Sequence, residues 1–222
     1  MGKGKYDEIG SGPSDHTDLA HLTIGIIIAQ VVGLAMVILG GIWMGKYHNG
    51  YGWDVSTVFN YHPLFMTIGM IFLYGDGENY KLLKNFKSNL IFSKNLTKAI
   101  LVYRLLRTTT KLYVKILHGI IHIAVLIFAS IALKAVFDSH NKPIKPIPNM
   151  YSLHSWVGLT AVVLFGLQWI VGFVSFLFPK LSDGLRRAYL PHHKFWGLAI
   201  FGLCIAAALM GITEKAFFSL PK

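Results

Sequence analysis

The sequence predicts an all-α membrane protein, a transmembrane helix bundle of five spans. Three observations predict it. Five apolar stretches recur along the 222 residues: Leu22–Met44, Tyr61–Gly75, Ile116–Phe137, Leu153–Phe178 and Phe195–Phe218. All but the second reach the length of about 20 residues that crosses a hydrocarbon layer at roughly 1.5 Å per residue. The composition is 54% apolar and only 14% charged, and the spans occupy about half the chain, which leaves no room for a separate soluble domain. Finally, four of the stretches open on a histidine, and a polar ring in lipid is costly unless it has a partner.

The elements follow in order. Residues 1–21 form a polar tail of mixed charge, expected in the cytosol. The first stretch is too long and wrongly flanked for a cleaved signal peptide, so it reads as a retained anchor. Met1-Gly2 opens like a myristoylation signal, but the sixth position is Tyr6 where that signal needs Ser or Thr. The second stretch, at 15 residues, rises only about 22 Å against a core of ~30 Å. A basic connection, 76–115, leads to the third, and a Pro-rich loop (Pro143, Pro146, Pro148) leads to the fourth. The basic connection 179–194 leads to the fifth. Cys204 lies within that last stretch and reads as a small apolar core residue. Residues 22–218 thus form a single transmembrane domain.

Orientation follows from the basic residues. The tail, 76–115 and 179–194 hold 2, 9 and 4 of the 21 Lys and Arg, with all four arginines among them. That face is therefore cytosolic. The net charge of +11 reflects topology, anionic lipid and an anionic substrate, with no sign of nucleic acid. A plasma, secretory-vesicle or endolysosomal membrane is equally compatible with these residues.

Parity then pairs the histidines. A chain that keeps crossing a bilayer starts its even-numbered spans on one face and its odd-numbered spans on the other. His62 and His154 share one side; His118 and His193 share the other. Intervals of 36 residues (His118 to His154) and 39 (His154 to His193) each allow one crossing plus a loop. Two imidazole pairs stacked across a bilayer suit axial ligation of two haems. Interhelical hydrogen bonding is the plain alternative for any one of them. His118 and His122 share a helical face four residues apart, yet no carboxylate or cysteine lies near to complete a zinc site. His192 and His193 are adjacent, so only one can face the interior. His16, His21 and His48 read as solvated. His140, before the Pro-rich loop, suits an outer substrate site or simple exposure. The glycines of the spans read mainly as helix packing, with some leaving room for a flat macrocycle.

Several segments resemble the cytochrome b561 family of ascorbate-dependent transmembrane electron carriers. They are Phe59–Phe72 (FNYHPLFMTIGMIF), Ala99–Arg107 (AILVYRLLR), Lys115–His122 (KILHGIIH), Ala135–His140 (AVFDSH) and Tyr151–Gly158 (YSLHSWVG). Leu167–Pro179 (LQWIVGFVSFLFP), Arg186–Gly197 (RRAYLPHHKFWG) and Gly211–Lys215 (GITEK) continue the likeness in order. The resemblance implies a bundle of six helices whose central four hold two haem b groups. Cytosolic ascorbate would be the donor, and monodehydroascorbate or a ferric chelate the outer acceptor. Carried over by motif, His62 and His154 are the outer iron ligands, and His118 and His193 the inner ones. The family's pattern prefers His118 over His122 and His193 over His192. An anionic donor suits the inner cations Arg104, Lys111, Lys115 and Arg186, with Tyr189 nearby; each cation is equally well read as part of the positive-inside bias. His140 matches a family histidine near the outer acceptor, and Asp138 is the nearest acid. A homodimer is compatible with the family.

The chain departs from that pattern twice. Gly77–Lys98 (GENYKLLKNFKSNLIFSKNLTK), with five lysines, has no counterpart, and excising it joins Asp76 to Ala99 in one span of ordinary length. Its Lys, Asn, Phe and Ile are residues of A/T-rich codons, so a retained short intron is the preferred account. The chain also stops at Lys222, where the family continues into a sixth helix, as a fragment or truncated gene model would. Two competing readings stand beside electron transfer. One is a truncated or mis-spliced, non-functional isoform. The other is a histidine-based proton or metal transporter, which needs carboxylates in the spans, where Glu214 is almost alone.

Overall fold

The computed structural model describes residues 13–75 and 111–220. Among them every regular element is helical, in five stretches: α1 (Pro13–Tyr47), α2 (Val58–Leu73), α3 (Lys111–Asn141), α4 (Leu153–Phe176) and α5 (Asp183–Phe218). Four are long and apolar enough to cross a membrane, and α2 is the short one. Gly77–Lys98, Arg104 and the first part of the tail lie outside the described residues.

The helices outrun the apolar windows that announce them. α1 takes in residues 13–21, and α5 begins at Asp183 rather than Phe195. Much of the expected connection 179–194 is therefore helical. The physical reason is local: Asp183 sits in the first turn, where a carboxylate complements the helix dipole, and pairs with Arg186 one turn on. Pro191 is carried inside that helix. At 36 residues, α5 spans about 54 Å, so part of it must project beyond a core of ~30 Å.

Termination is also readable. α1 ends where Asn49 and Gly50 both take positive φ (65° and 81°) and the Gly50 amide donates to Met44 O at 3.3 Å. α4 starts on Ser152, whose Oγ accepts from the Ser155 amide at 3.3 Å. α2 is composite: a 3₁₀ turn at Val58–Asn60, α-helix at Tyr61–Met66, and π-helix over Thr67–Leu73. Thr67 Oγ1 donates to Pro63 O at 2.7 Å in that region, competing with the regular backbone ladder.

α2 packs along α3 and α4 along α5, while α1 leans mainly on α2. The core is a cluster of Met70, Tyr74, Val125, Ala129, Ala161, Phe165, Ile200 and Cys204. Small residues set its spacing. Ala129, Ala132 and Ala135 are fully buried along α3, and a Cβ at Gly69 would lie 3.3 Å from Val125 O, so α2 and α3 approach almost backbone to backbone. Large apolar side chains such as Ile28, Val31, Leu39, Ile170 and Leu209 instead face outward. That is the arrangement lipid demands and water penalises.

Candidate functional site

Two histidine pairs lie toward opposite ends of α4. His154 stands in its first turn, and His193 packs against Gly172 and Phe176 near its last. Residues 154 and 172 are about 27 Å apart along the helix axis.

In the first pair the His62 and His154 ring centroids are 6.0 Å apart and the planes nearly perpendicular, at 85°. Both rings are held by backbone of neighbouring helices. His62 Nδ1–H donates to Ala132 O at 3.2 Å, and His154 Nδ1–H to Ala207 O at 2.9 Å. A carbonyl only accepts, so each bond places the proton on Nδ1 and leaves the Nε2 lone pair available as a ligand. Gly211 makes room for the second ring, since a Cβ there would sit 2.8 Å from His154 Cε1.

In the second pair, His118 and His193 stand 6.4 Å apart at 76°. Gln168 Nε2 donates to His193 O at 2.7 Å and Trp169 Nε1 to Gly119 O at 3.1 Å. Two consecutive α4 residues therefore tie down the two helices that carry this pair. A Cβ at Gly172 would meet His193 Cε1 at 3.1 Å. His122, one turn on from His118, lies against it with ring centroids 4.1 Å apart, and is buried and stacked on Phe165 at 5.4 Å. His192 is exposed while His193 is half-buried.

Each spacing would accommodate one iron atom between its two imidazoles. Two metal–nitrogen bonds of about 2.0–2.1 Å, with about 1.1 Å from nitrogen to centroid in each ring, separate the centroids by roughly 6.3 Å. Among the described residues no group of three His, Cys, Asp or Glu gathers.

The sequence-predicted substrate residues divide between the two ends. Lys115 Nζ approaches Phe176 O at 3.5 Å, Tyr189 stacks on the Phe176 ring at 5.7 Å, and Arg186 pairs with Asp183. Lys115 and Tyr189 thus converge on Phe176 beside His193, with Arg186 one helical turn before Tyr189. Lys111 opens α3, and Arg104 lies outside the described residues. At the other end His140 Nδ1–H donates to Asn149 Oδ1 at 3.2 Å. It lines a cavity of about 210 Å³ that also contains His62 and His154. Asp138, the acid nearest that face in sequence, is occupied by Lys134 at 2.6 Å and Lys142 at 2.8 Å.

Three features were not singled out from sequence. Buried Asn60 donates from Nδ2 to His48 O and Gly50 O, both at 2.6 Å, closing the loop beside the first pair. Ser152 Oγ donates to Glu214 Oε2 at 3.1 Å, tying α5 to the start of α4. Tyr74 is buried in the core, donating to Gly197 O at 2.7 Å and lying edge-on to Phe165 and His122. Asn60, two residues before His62 at the mouth of an apolar stretch, was the detectable one.

The eukaryotic cytochrome b561 family model matches residues 90–219. The chain is 42% identical over 201 residues to the transmembrane ascorbate-dependent reductase CYB561 of Mus musculus, covering 90% of this chain and 71% of that protein. It is 41% identical over 195 residues to the Homo sapiens protein of the same name, covering 88% and 68%. The plasma membrane ascorbate-dependent reductase CYBRD1 of Xenopus laevis is 43% identical over 200 residues, covering 89% and 62%.

Proposed function

The chain belongs to the eukaryotic cytochrome b561 family, and from that membership and the two histidine pairs we propose that it is a transmembrane ascorbate-dependent oxidoreductase. It carries single electrons from cytosolic ascorbate to an outer acceptor, monodehydroascorbate or a ferric chelate. The observation that carries the reading is the pair of iron-sized imidazole gaps toward opposite ends of α4.

His62 with His154, and His118 with His193, would each hold one haem b, and bound haem supplies the one-electron chemistry. The rest is the work of the chain's residues. Ala132 and Ala207 carbonyls orient the first pair and fix its tautomer. Lys115, Arg186 and Tyr189, with Lys111 and Arg104 from the same basic face, attract and orient the ascorbate anion beside the second pair. Ascorbate leaves that site as monodehydroascorbate after losing one electron and one proton. The apolar core of Tyr74, Phe165 and Ile200 keeps water from the path between the faces. His140 and Asn149 line the opposite cavity, where the acceptor gains one electron. The basic connections put the His118–His193 end and the N-terminus in the cytosol.

Visible spectroscopy of the purified protein and its histidine variants tests this. His62→Ala and His154→Ala should each remove the same haem bands, and His118→Ala and His193→Ala the other set. Loss that groups His62 with His118 would overturn the assignment. A wild-type protein that never takes up haem would overturn the function.

A further inference from the structure

The cavity over the first pair contains one lysine and one carboxylate, adjacent in sequence and turned to different tasks. Glu214 accepts from Ser152 Oγ and lies near the Tyr151 hydroxyl, so its charge is spent on the start of α4. Lys215, about 100° further round the helix, points instead to α2, with Nζ 4.8 Å from the Phe59 ring centroid. Among the described residues it is the only Lys or Arg lining the cavity, and it makes no ion pair. Lys134 and Lys142, on the same face, both spend their charge on Asp138.

A cation in the last turn of α5 also suits the helix dipole. That role requires only a charge near the terminal carbonyls, which a solvated side chain would supply. It accounts neither for a half-buried lysine with its ammonium over an aromatic face nor for its place in the cavity wall. Phe59 links that seat to the chemistry, since its centroid is 6.1 Å from that of His62. The two distances together keep Nζ within about 11 Å of the His62 ring centroid.

We propose that Lys215 is the anion-recognising residue of the outer cavity, binding an oxyanion of the electron acceptor beside the His62–His154 pair. The proposal rests on the reading that electrons leave at this face. A carboxylate on the rim of a bound haem offers the same chemistry as an anionic acceptor, so the test must separate the two.

Vesicles holding the protein and trapped ascorbate are given ferric citrate, an anion, or hexaammineruthenium(III), a cation. Binding of redox-inert gallium(III) citrate to the oxidised protein is titrated in parallel. Lys215→Gln should raise half-saturation for ferric citrate and weaken gallium citrate binding by about tenfold, the scale of one charge-assisted contact. Lys215→Arg should restore both, and the cationic acceptor should gain no such penalty. Unchanged citrate binding in Lys215→Gln overturns the proposal. Loss or shift of haem bands with unchanged citrate binding also overturns it, assigning Lys215 to the haem's own carboxylate. If the wild-type protein reduces neither acceptor, electron transfer itself fails, and the gallium titration still decides what Lys215 binds.

Discussion

Adding one methyl group at Gly211 should selectively empty the first histidine pair. In Gly211→Ala the new Cβ would lie 2.8 Å from His154 Cε1, 3.0 Å from Nδ1 and 3.3 Å from Nε2. Ordinary contact begins at 3.4 Å, so the ring must retreat by roughly 0.6 Å at its nearest atom, an overpacking costing about 1–3 kcal/mol. The ring cannot swing aside freely, because Nδ1–H donates at 2.9 Å to Ala207 O, one turn earlier on the same helix. Relieving the clash therefore strains the bond that orients the imidazole. The cost corresponds to a roughly 5- to 150-fold loss of haem affinity at this pair alone. Haem content per protein, with oxidised and reduced visible spectra, measures it. Gly33→Ala is the control. Its Cβ would meet Phe72 Cδ2 at 2.9 Å, a similar clash against a ring that no hydrogen bond holds in place. Gly211→Ala protein with both haems and a wild-type spectrum would refute the reasoning, because the His154 ring would then have slack that the structure denies.

Three further outcomes are expected. Lys115→Gln and Arg186→Gln should each raise half-saturation for ascorbate by about tenfold with haem content intact. Among the contacts they lose, the 3.5 Å approach to Phe176 O and the partly exposed pair with Asp183 each stabilise the fold little; unchanged ascorbate kinetics in both would leave these cations only a topological role. Asn60→Ala removes two 2.6 Å hydrogen bonds and should loosen residues 48–57 by about 1–3 kcal/mol, read as faster proteolysis in that loop; wild-type cleavage would count against it. Removing Gly77–Lys98 should raise haem incorporation. The sequon Asn95-Leu96-Thr97 should stay unmodified in a secretory cell, since glycosylation there would invert the assignment of inner and outer faces.

Much of this was legible before any coordinates. Long apolar windows announce membrane helices because lipid leaves backbone groups no partner but one another. Parity also placed His62 with His154 and His118 with His193, since crossing a bilayer alternates the face on which each span begins. The unread parts depend on facts that periodicity does not encode. Helix ends past the apolar windows, as at Asp183, follow from capping and local ion pairs. The division of labour between Glu214 and Lys215 depends on which neighbour each side chain meets. Asn60 and Tyr74 act through carbonyls 10 to 123 residues away, and no local pattern marks such partners. Nor does sequence distinguish a glycine that admits an imidazole, such as Gly211, from one with open space around it, such as Gly202.

The histidine geometry depends more on backbone than on side chains. At the first pair the orienting acceptors are the carbonyls of Ala132 and Ala207, residues with nothing beyond Cβ, in contacts buried against neighbouring helices. A side-chain acceptor could turn away or change its protonation; a carbonyl inside a continuous helix can do neither. Alanine also keeps that carbonyl within reach of the imidazole, which a bulkier residue at either position would push back. Small residues thus serve two purposes at once, bringing helices close enough to pack and exposing backbone oxygen to orient an imidazole. A substitution such as Ala207→Leu therefore acts on the pair through its spacing, although it removes no polar group.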